Sequence, residues 1–251
     1  MTGEMSSGDA LKALEDEVVS CRNCPRLVAY RTQVAGEKKP QFAQWTYWGR
    51  PVPGFGDPIA SLVIIGLAPA AHGGNRTGRV FTGDRSGDFL IKSLHSAGFA
   101  NQQTSTSRND GLTLEGAYIT AAVKCAPPDN KPEASEITNC SNFLSRELDI
   151  LRSSRAILCL GQTAYTATLR ALANRLNSQL SLPKFAHGLE LYIGESLPRL
   201  FVSYHPSPRN TQTGKLTRQM FASLLRRVKK TIRSDPRKEV QVHPRAGVSS
   251  S

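Results

Sequence analysis

The 251-residue sequence contains no apolar run approaching the roughly 20 residues of a membrane-spanning helix, so no helical membrane protein is expected. Its opening stretch, MTGEMSSGDALKALEDE, is acidic and polar and lacks the basic-then-apolar order of a secretory signal. Cysteines are few, and their odd number, five, argues against a purely disulfide framework. No segment repeats another, so a repeat array is not expected. Acidic residues are scarce where they would matter for charge balance: from Arg199 to Lys238 there is one, Asp235, against eleven Lys and Arg. With a net charge of +12 and a pI near 9.8, this balance favours a polyanionic partner, nucleic acid before a membrane. A solvated basic helix face is the plainer explanation of the cationic run. A phosphate-facing surface is better supported, because the run begins beside a candidate site. The expected location is the cytoplasm, in association with the nucleoid.

Apolar residues make up 39% of the chain, enough to fill a core. One domain is expected over residues 11–233, with flexible tails over 1–10 and 234–251. Apolar runs at 62–67, 117–123, 156–160 and 199–204 alternate with helical patterns at about 87–97, 134–152, 162–178 and 216–232. Strands alternating with helices predict an α/β fold: a four-stranded, mostly parallel, doubly wound sheet. A helical pattern at Leu11, Leu14, Val18 and Val19 leads into Cys21. Residues 41–58 read as an ordered loop whose Trp45, Tyr47 and Trp48 are better core plugs than stacking platforms, and 101–112 as a polar insertion.

The stretch 61–84 is the most informative. The run Leu62–Ile65 breaks into a small-residue segment that includes Gly66, Ala68, Pro69, Gly73 and Gly74. Open α/β sheets bind ligands beyond such carboxyl ends, and small residues let a flat or anionic ligand approach the backbone. The same loop supplies His72, Asn75, Arg76, Arg79, Phe81 and Asp84, the makings of a polar pocket with one aromatic wall. The run 199–204 ends at the same sheet edge and leads into His205-Pro206-Ser207-Pro208-Arg209-Asn210, a stiff polar loop that would place His205 opposite.

Cys21 and Cys24 form a C-x-x-C, and Cys125 and Cys140 a second, distant pair. Four thiolates suit a structural zinc or an iron–sulfur cluster, with zinc the commoner centre; a redox C-x-x-C would want a preceding strand, and none is read before Cys21. Cys159, inside AILCLG, reads as an inert core residue.

Taken together these motifs resemble the uracil-DNA glycosylase superfamily, specifically its broad-specificity iron–sulfur "B" branch (family five), over about residues 12–232. The resemblance rests on Cys21-x-x-Cys24-Pro25-Arg26-Leu27; on Gly66-Leu67-Ala68-Pro69-Ala70-Ala71-His72-Gly73 with Asn75-Arg76-Thr77-Gly78-Arg79 and Phe81-Thr82-Gly83-Asp84; on Lys124-Cys125-Ala126-Pro127-Pro128 with Asn130-Lys131-Pro132; and on the loop His205–Gly214. It implies that Cys21, Cys24, Cys125 and Cys140 hold a [4Fe-4S] cluster rather than zinc. It also implies excision of a flipped deaminated base from DNA by a monomeric enzyme. On that reading Phe81 stacks on the base while backbone near Gly66 and Ala68 binds its edge, beside His72 and Asn75. His205 donates to uracil O2, and Asp84 positions water with help from Asn130. Pro206 and Ser207 fill the vacated stack, and Arg79, Arg209, Asn210, Lys215 and Arg218 hold DNA. Taken alone, Asp84 reads equally well as a helix cap. Two positions depart from the pattern: Ala68 stands where many relatives carry a polar or acidic group, and Ala121 where relatives carry an asparagine. Losing both predicts relaxed selectivity, extending to hypoxanthine and xanthine. The rival expectation is a non-catalytic binder of damaged or single-stranded DNA.

Overall fold

The computed structural model describes residues 5–173, 183–194 and 196–234. Six strands lie in this region: β1 (Phe55–Gly56), β2 (Leu62–Gly66), β3 (Ala117–Ala121), β4 (Ala156–Leu160), β5 (Glu190–Leu191) and β6 (Arg199–Ser203). Its helices are α1 (Ser7–Ser20), α2 (Pro25–Glu37), α3 (Gly74–Thr77), α4 (Arg85–Ala97), α5 (Ala134–Ile150), α6 (Gln162–Ala171), α7 (Pro208–Gln212) and α8 (Arg218–Ser234). None is long and apolar enough to cross a membrane.

The four expected strands are present, and β3, β2, β4 and β6 pair in parallel. Every residue of β2, β3 and β4 is buried, as a parallel sheet covered on both faces requires. The sheet has six strands rather than four, in the order β1-β3-β2-β4-β6-β5. The two additions are antiparallel edge pairs of two residues each, Phe55 with Ile119 and Glu190 with Phe201 among them. Two residues are too few to show a period of two, so their pairing is dictated by the neighbouring strand.

Alternate strand residues point to two cores. One face buries Leu62, Ile64, Leu158 and Phe201 against Leu90, Leu94, Phe221 and Val228 of α4 and α8. The other buries Val63, Ile65, Ile157 and Val202 against Leu144 and Leu148 of α5 and Tyr165 of α6. Cys159 lies fully buried there, its Sγ 3.3 Å from Thr168 Oγ1, as an inert core thiol should. Helix α8 buries Phe221, Leu224, Leu225, Val228 and Ile232 on one stripe and turns its cations outward.

Three boundaries differ from expectation. The chain is helical from Ser7, where a tail over 1–10 was expected, because Ser6 caps α1 by accepting from the Asp9 amide. Helix α2, begun by Pro25, has no counterpart in the sequence reading. Helix α6 ends at Ala171, and the expected helical residues 174–178 lie outside the described residues, as do 235–251 of the C-terminal tail.

Candidate active site and cysteine centre

The carboxyl end of β2 closes against that of β3, with Gly66 opposite Ala121 as the last register pair. Gly66 is required here: a Cβ would stand 2.7 Å from Phe81 Cε2, so any side chain would expel that ring. Phe81 is held at φ 50°, an uncommon backbone state for a bulky residue and one that must be enforced by its surroundings. Its ring stacks on His205 at 5.9 Å between centroids and 28° between planes. Phe81, Gly66 and His205, the latter carried on the end of β6, therefore form one wall. The His205 carbonyl accepts from Asn210 Nδ2 at 2.8 Å, which fixes the loop, while its imidazole makes no hydrogen bond among the described residues. Burial pushes the His205 pKa down to about 4, so the ring is neutral at physiological pH.

Asp84 is the helix cap that the sequence allowed, and one of its carboxylate oxygens takes no part in the cap. It caps α4, with Oδ1 accepting from the amides of Ser86 (2.9 Å) and Gly87 (3.0 Å). Its Oδ2 makes no hydrogen bond among the described residues and faces Gly73 so closely that a Cβ there would collide with it. Burial raises the Asp84 pKa, against the cap amides and the Arg76 charge, which lower it.

Arg76, offered by the sequence as a pocket residue, fastens this loop together instead. Its Nε donates to the His72 carbonyl (2.8 Å) and its Nη2 to the Gly83 carbonyl (3.0 Å). Phe42 and Trp45 both lie against its guanidinium, at 3.9 and 4.1 Å from the ring centroids. Tyr47 is buried and its hydroxyl meets His72 Nδ1 at 3.0 Å. Trp45 and Trp48 are half-buried: Trp45 lies against Arg76, whereas Trp48 packs on the core as expected and is also covered by Arg50 and Arg108.

Several expected site residues have other duties. Arg79, expected on DNA, is 5% exposed and forms a two-pronged ion pair with Asp110 at 2.8 Å, with further bonds to Thr82 and Ser105. It ties the polar insertion 101–112 to the loop. Asn75, expected at the base, is 1% exposed and donates to the Arg31 carbonyl at 3.1 Å. The Ala68 side chain packs against the cysteine pocket, although its amide has no backbone partner. Pro206 is buried and cannot wedge into a stack; Ser207 beside it is half-exposed, at the N-cap position of α7 but without a side-chain cap bond. The Asn210 amide is engaged by His205. Asn130 is exposed on a turn at φ 56° and makes no hydrogen bond to Asp84 or His205. Arg209, Lys215 and Arg218 are exposed, as a phosphate-facing role requires.

The four cysteines converge from three places in the chain. Cys21 is the C-cap of α1, Cys24 the N-cap of α2, Cys125 follows β3, and Cys140 lies on α5. Cys24, Cys125 and Cys140 share an apolar pocket with Leu27, Val123 and Ile137. Arg26 staples α2 to α5 by bonding both oxygens of Glu136, at 2.8 and 2.7 Å. None of the five cysteines is in a disulfide. Burial pushes the Cys125 thiol up to about 12 and Cys140 to about 11, and Cys21 and Cys24 add to the rise at both. Among the described residues no three His, Cys, Asp or Glu side chains are grouped as a bound metal ion would group them. The donor chemistry, four soft thiols in a largely apolar pocket, nonetheless suits a thiolate-held iron–sulfur group.

A carboxylate, a neutral imidazole and an aromatic wall thus meet at the carboxyl edge of the parallel strands, the edge at which open α/β sheets bind ligands. The chain agrees in sequence with the Uracil DNA glycosylase superfamily over residues 53–229. It is 46% identical over 212 residues to a Type-5 uracil-DNA glycosylase of Pyrobaculum aerophilum, covering 84% of this chain and 89% of that one. Identity to the Type-5 uracil-DNA glycosylase of Thermus thermophilus is also 46%, over 87% of this chain and 97% of the relative. The namesake in Mycobacterium tuberculosis is 48% identical, over 84% and 77%. The chain belongs to the uracil-DNA glycosylase superfamily.

Proposed function

We propose that this protein is a DNA repair glycosylase that flips uracil out of DNA and hydrolyses its N-glycosidic bond, leaving an abasic site. One observation carries the reading: Asp84 is split between two tasks, with Oδ1 fixed by two amides and Oδ2 open to the loop. Flipping a nucleotide costs a few kcal/mol. Contacts from Arg209, Lys215, Arg218 and the outward face of α8 to phosphates offset that cost. The base enters against Phe81, with the Ala68 amide available to its edge. As the bond breaks, negative charge grows on the base, and neutral His205 donates an N–H to uracil O2. Positive charge grows on the sugar, where the Asp84 carboxylate stabilises it and orients the attacking water through Oδ2. Asn130, at the exposed turn after β3, is assigned a supporting role toward that water on the resemblance alone.

Selectivity is relaxed in this proposal. Gly66 and Ala121, paired at the pocket floor, offer no side-chain group to read one base edge over another. Hypoxanthine and xanthine are therefore substrates alongside uracil.

Cys21, Cys24, Cys125 and Cys140 hold a [4Fe-4S] cluster that joins α1, α2, β3 and α5 and supplies a structural cross-link rather than proton or group transfer. The protein acts as a monomer. A single-turnover panel on duplexes carrying uracil, hypoxanthine or xanthine, read by alkaline cleavage at the abasic site, tests the activity. Excision of all three is expected. Strict uracil preference would overturn the selectivity argument, and DNA binding without cleavage would favour a non-catalytic binder.

A further inference from the structure

Among the described residues only two buried side-chain polar atoms lack a hydrogen-bond partner, Arg31 Nε and Asn75 Oδ1. They belong to adjoining side chains where α2 meets α3, since Asn75 bonds the Arg31 carbonyl. Arg31 is 4% exposed. Its guanidinium donates to the carbonyls of Gly49 (2.5 Å) and Cys21 (3.5 Å), and no carboxylate among the described residues pairs with it. A buried cation with no counter-charge is strongly unfavourable, and native structures supply the missing negative charge.

The cysteine pocket is where that charge can come from. Arg31 lies one turn beyond Leu27 on the buried stripe of α2, and Leu27 packs on Cys24, Cys125 and Cys140. Its Nη2 reaches the backbone of Cys21 itself. Of the cations flanking the pocket, Lys124, beside Cys125, is bonded by Glu147 at 2.7 Å, and Arg26, beside Cys24, by Glu136. Arg22, between Cys21 and Cys24, is exposed to solvent. Arg31 is the buried one with no carboxylate partner among the described residues.

We infer that Arg31 is the buried counter-cation of the cysteine centre, its guanidinium offsetting the negative charge of four metal-bound thiolates and so raising the midpoint potential and retention of the group they hold. The inference rests on the [4Fe-4S] reading above, and its test keeps the two separable. The full-length protein, Arg31→Met and Arg31→Lys are purified, assayed for iron and sulfide, titrated spectroelectrochemically, and followed for loss of visible absorbance in air. The parent protein is expected to carry iron and sulfide. Arg31→Met should shift the midpoint potential to more negative values and bleach several-fold faster, whereas Arg31→Lys, which keeps the charge, should stay near the parent. Where Arg31→Met does not fold, Arg31→Gln is read in the same way. Unchanged potential and bleaching in a cluster-loaded Arg31→Met would overturn the counter-cation role. So would Arg31→Lys behaving like Arg31→Met, since that points to the hydrogen bonds to Gly49 and Cys21 rather than to charge. A parent protein without iron and sulfide would instead refute the cluster, and this inference with it.

Discussion

Replacing Asp84 by asparagine separates what the carboxylate does for the reaction from what it does for the fold. Asparagine caps helices about as well as aspartate, so its Oδ1 can keep both bonds from Ser86 and Gly87. What is lost is the favourable charge at the start of α4, about 0.3–1 kcal/mol. What is gained is relief from burying an anion. Burial raises the Asp84 pKa in the folded state. The stability this residue contributes is therefore full below the ordinary carboxylate range and is lost as pH rises through the raised folded value. At neutral pH the ionised form is a liability to the fold, kept for the chemistry. Asp84→Asn should then match the parent at pH 7 to within about 1 kcal/mol. Asp84→Ala, with no cap, should be about 0.5–2 kcal/mol less stable. Excision should fall in both by about 10²- to 10⁴-fold, the usual worth of a positioned acid–base group. Single-turnover excision of uracil with enzyme in excess, beside urea unfolding of the same samples, reads both quantities. An Asp84→Asn protein that keeps its rate, or that loses as much stability as Asp84→Ala, refutes the division of labour between Oδ1 and Oδ2.

The remaining expectations concern the wall, the loop and the DNA face. His205 is neutral in the fold with its pKa held down to about 4, so the stability tied to it is present at neutral pH and is lost as pH falls from the ordinary imidazole range toward that value. His205→Gln should flatten that part of the urea-midpoint profile and slow excision by about 10²- to 10³-fold, as loss of one oxyanion donor does. Arg76→Gln should release the His72 and Gly83 carbonyls and lower the excision rate while leaving duplex affinity unchanged, as measured by fluorescence anisotropy; an equal loss in both would place Arg76 on the DNA instead. Alanine at Arg209, Lys215 or Arg218 should reduce the slope of log affinity against log salt by about 0.9 for each phosphate contact removed, with little effect on single-turnover rate at saturating enzyme.

The central strands were legible because their burial is complete: LVIIG, AYITA and AILCL carry, besides Tyr118, one polar residue among them, Thr120, and such near-continuous apolar runs mark a sheet covered on both faces. The placement of Asp84 and His205 was legible from position, since Asp84 precedes a helix and His205 follows a strand at the carboxyl edge of the sheet. Other residues were opaque for a shared reason. In a glycine-rich loop a polar side chain can face the ligand or brace the backbone, and residue type does not distinguish the two. Arg79 and Asn75 turned inward to partners outside the loop. Asn75 bonds the Arg31 carbonyl on α2. Arg79 pairs with Asp110 of the insertion at 101–112, a partner 31 residues away that no local pattern reveals. The bracing role of Arg76 was equally hidden, because it depends on Phe42 and Trp45 arriving from the preceding loop. The consequence is a site in which few groups can touch substrate and many hold those few in place. Such a site should be sensitive to substitutions that never meet DNA, and the pairing of a strained Phe81 backbone with a bracing Arg76 is where that sensitivity should be greatest.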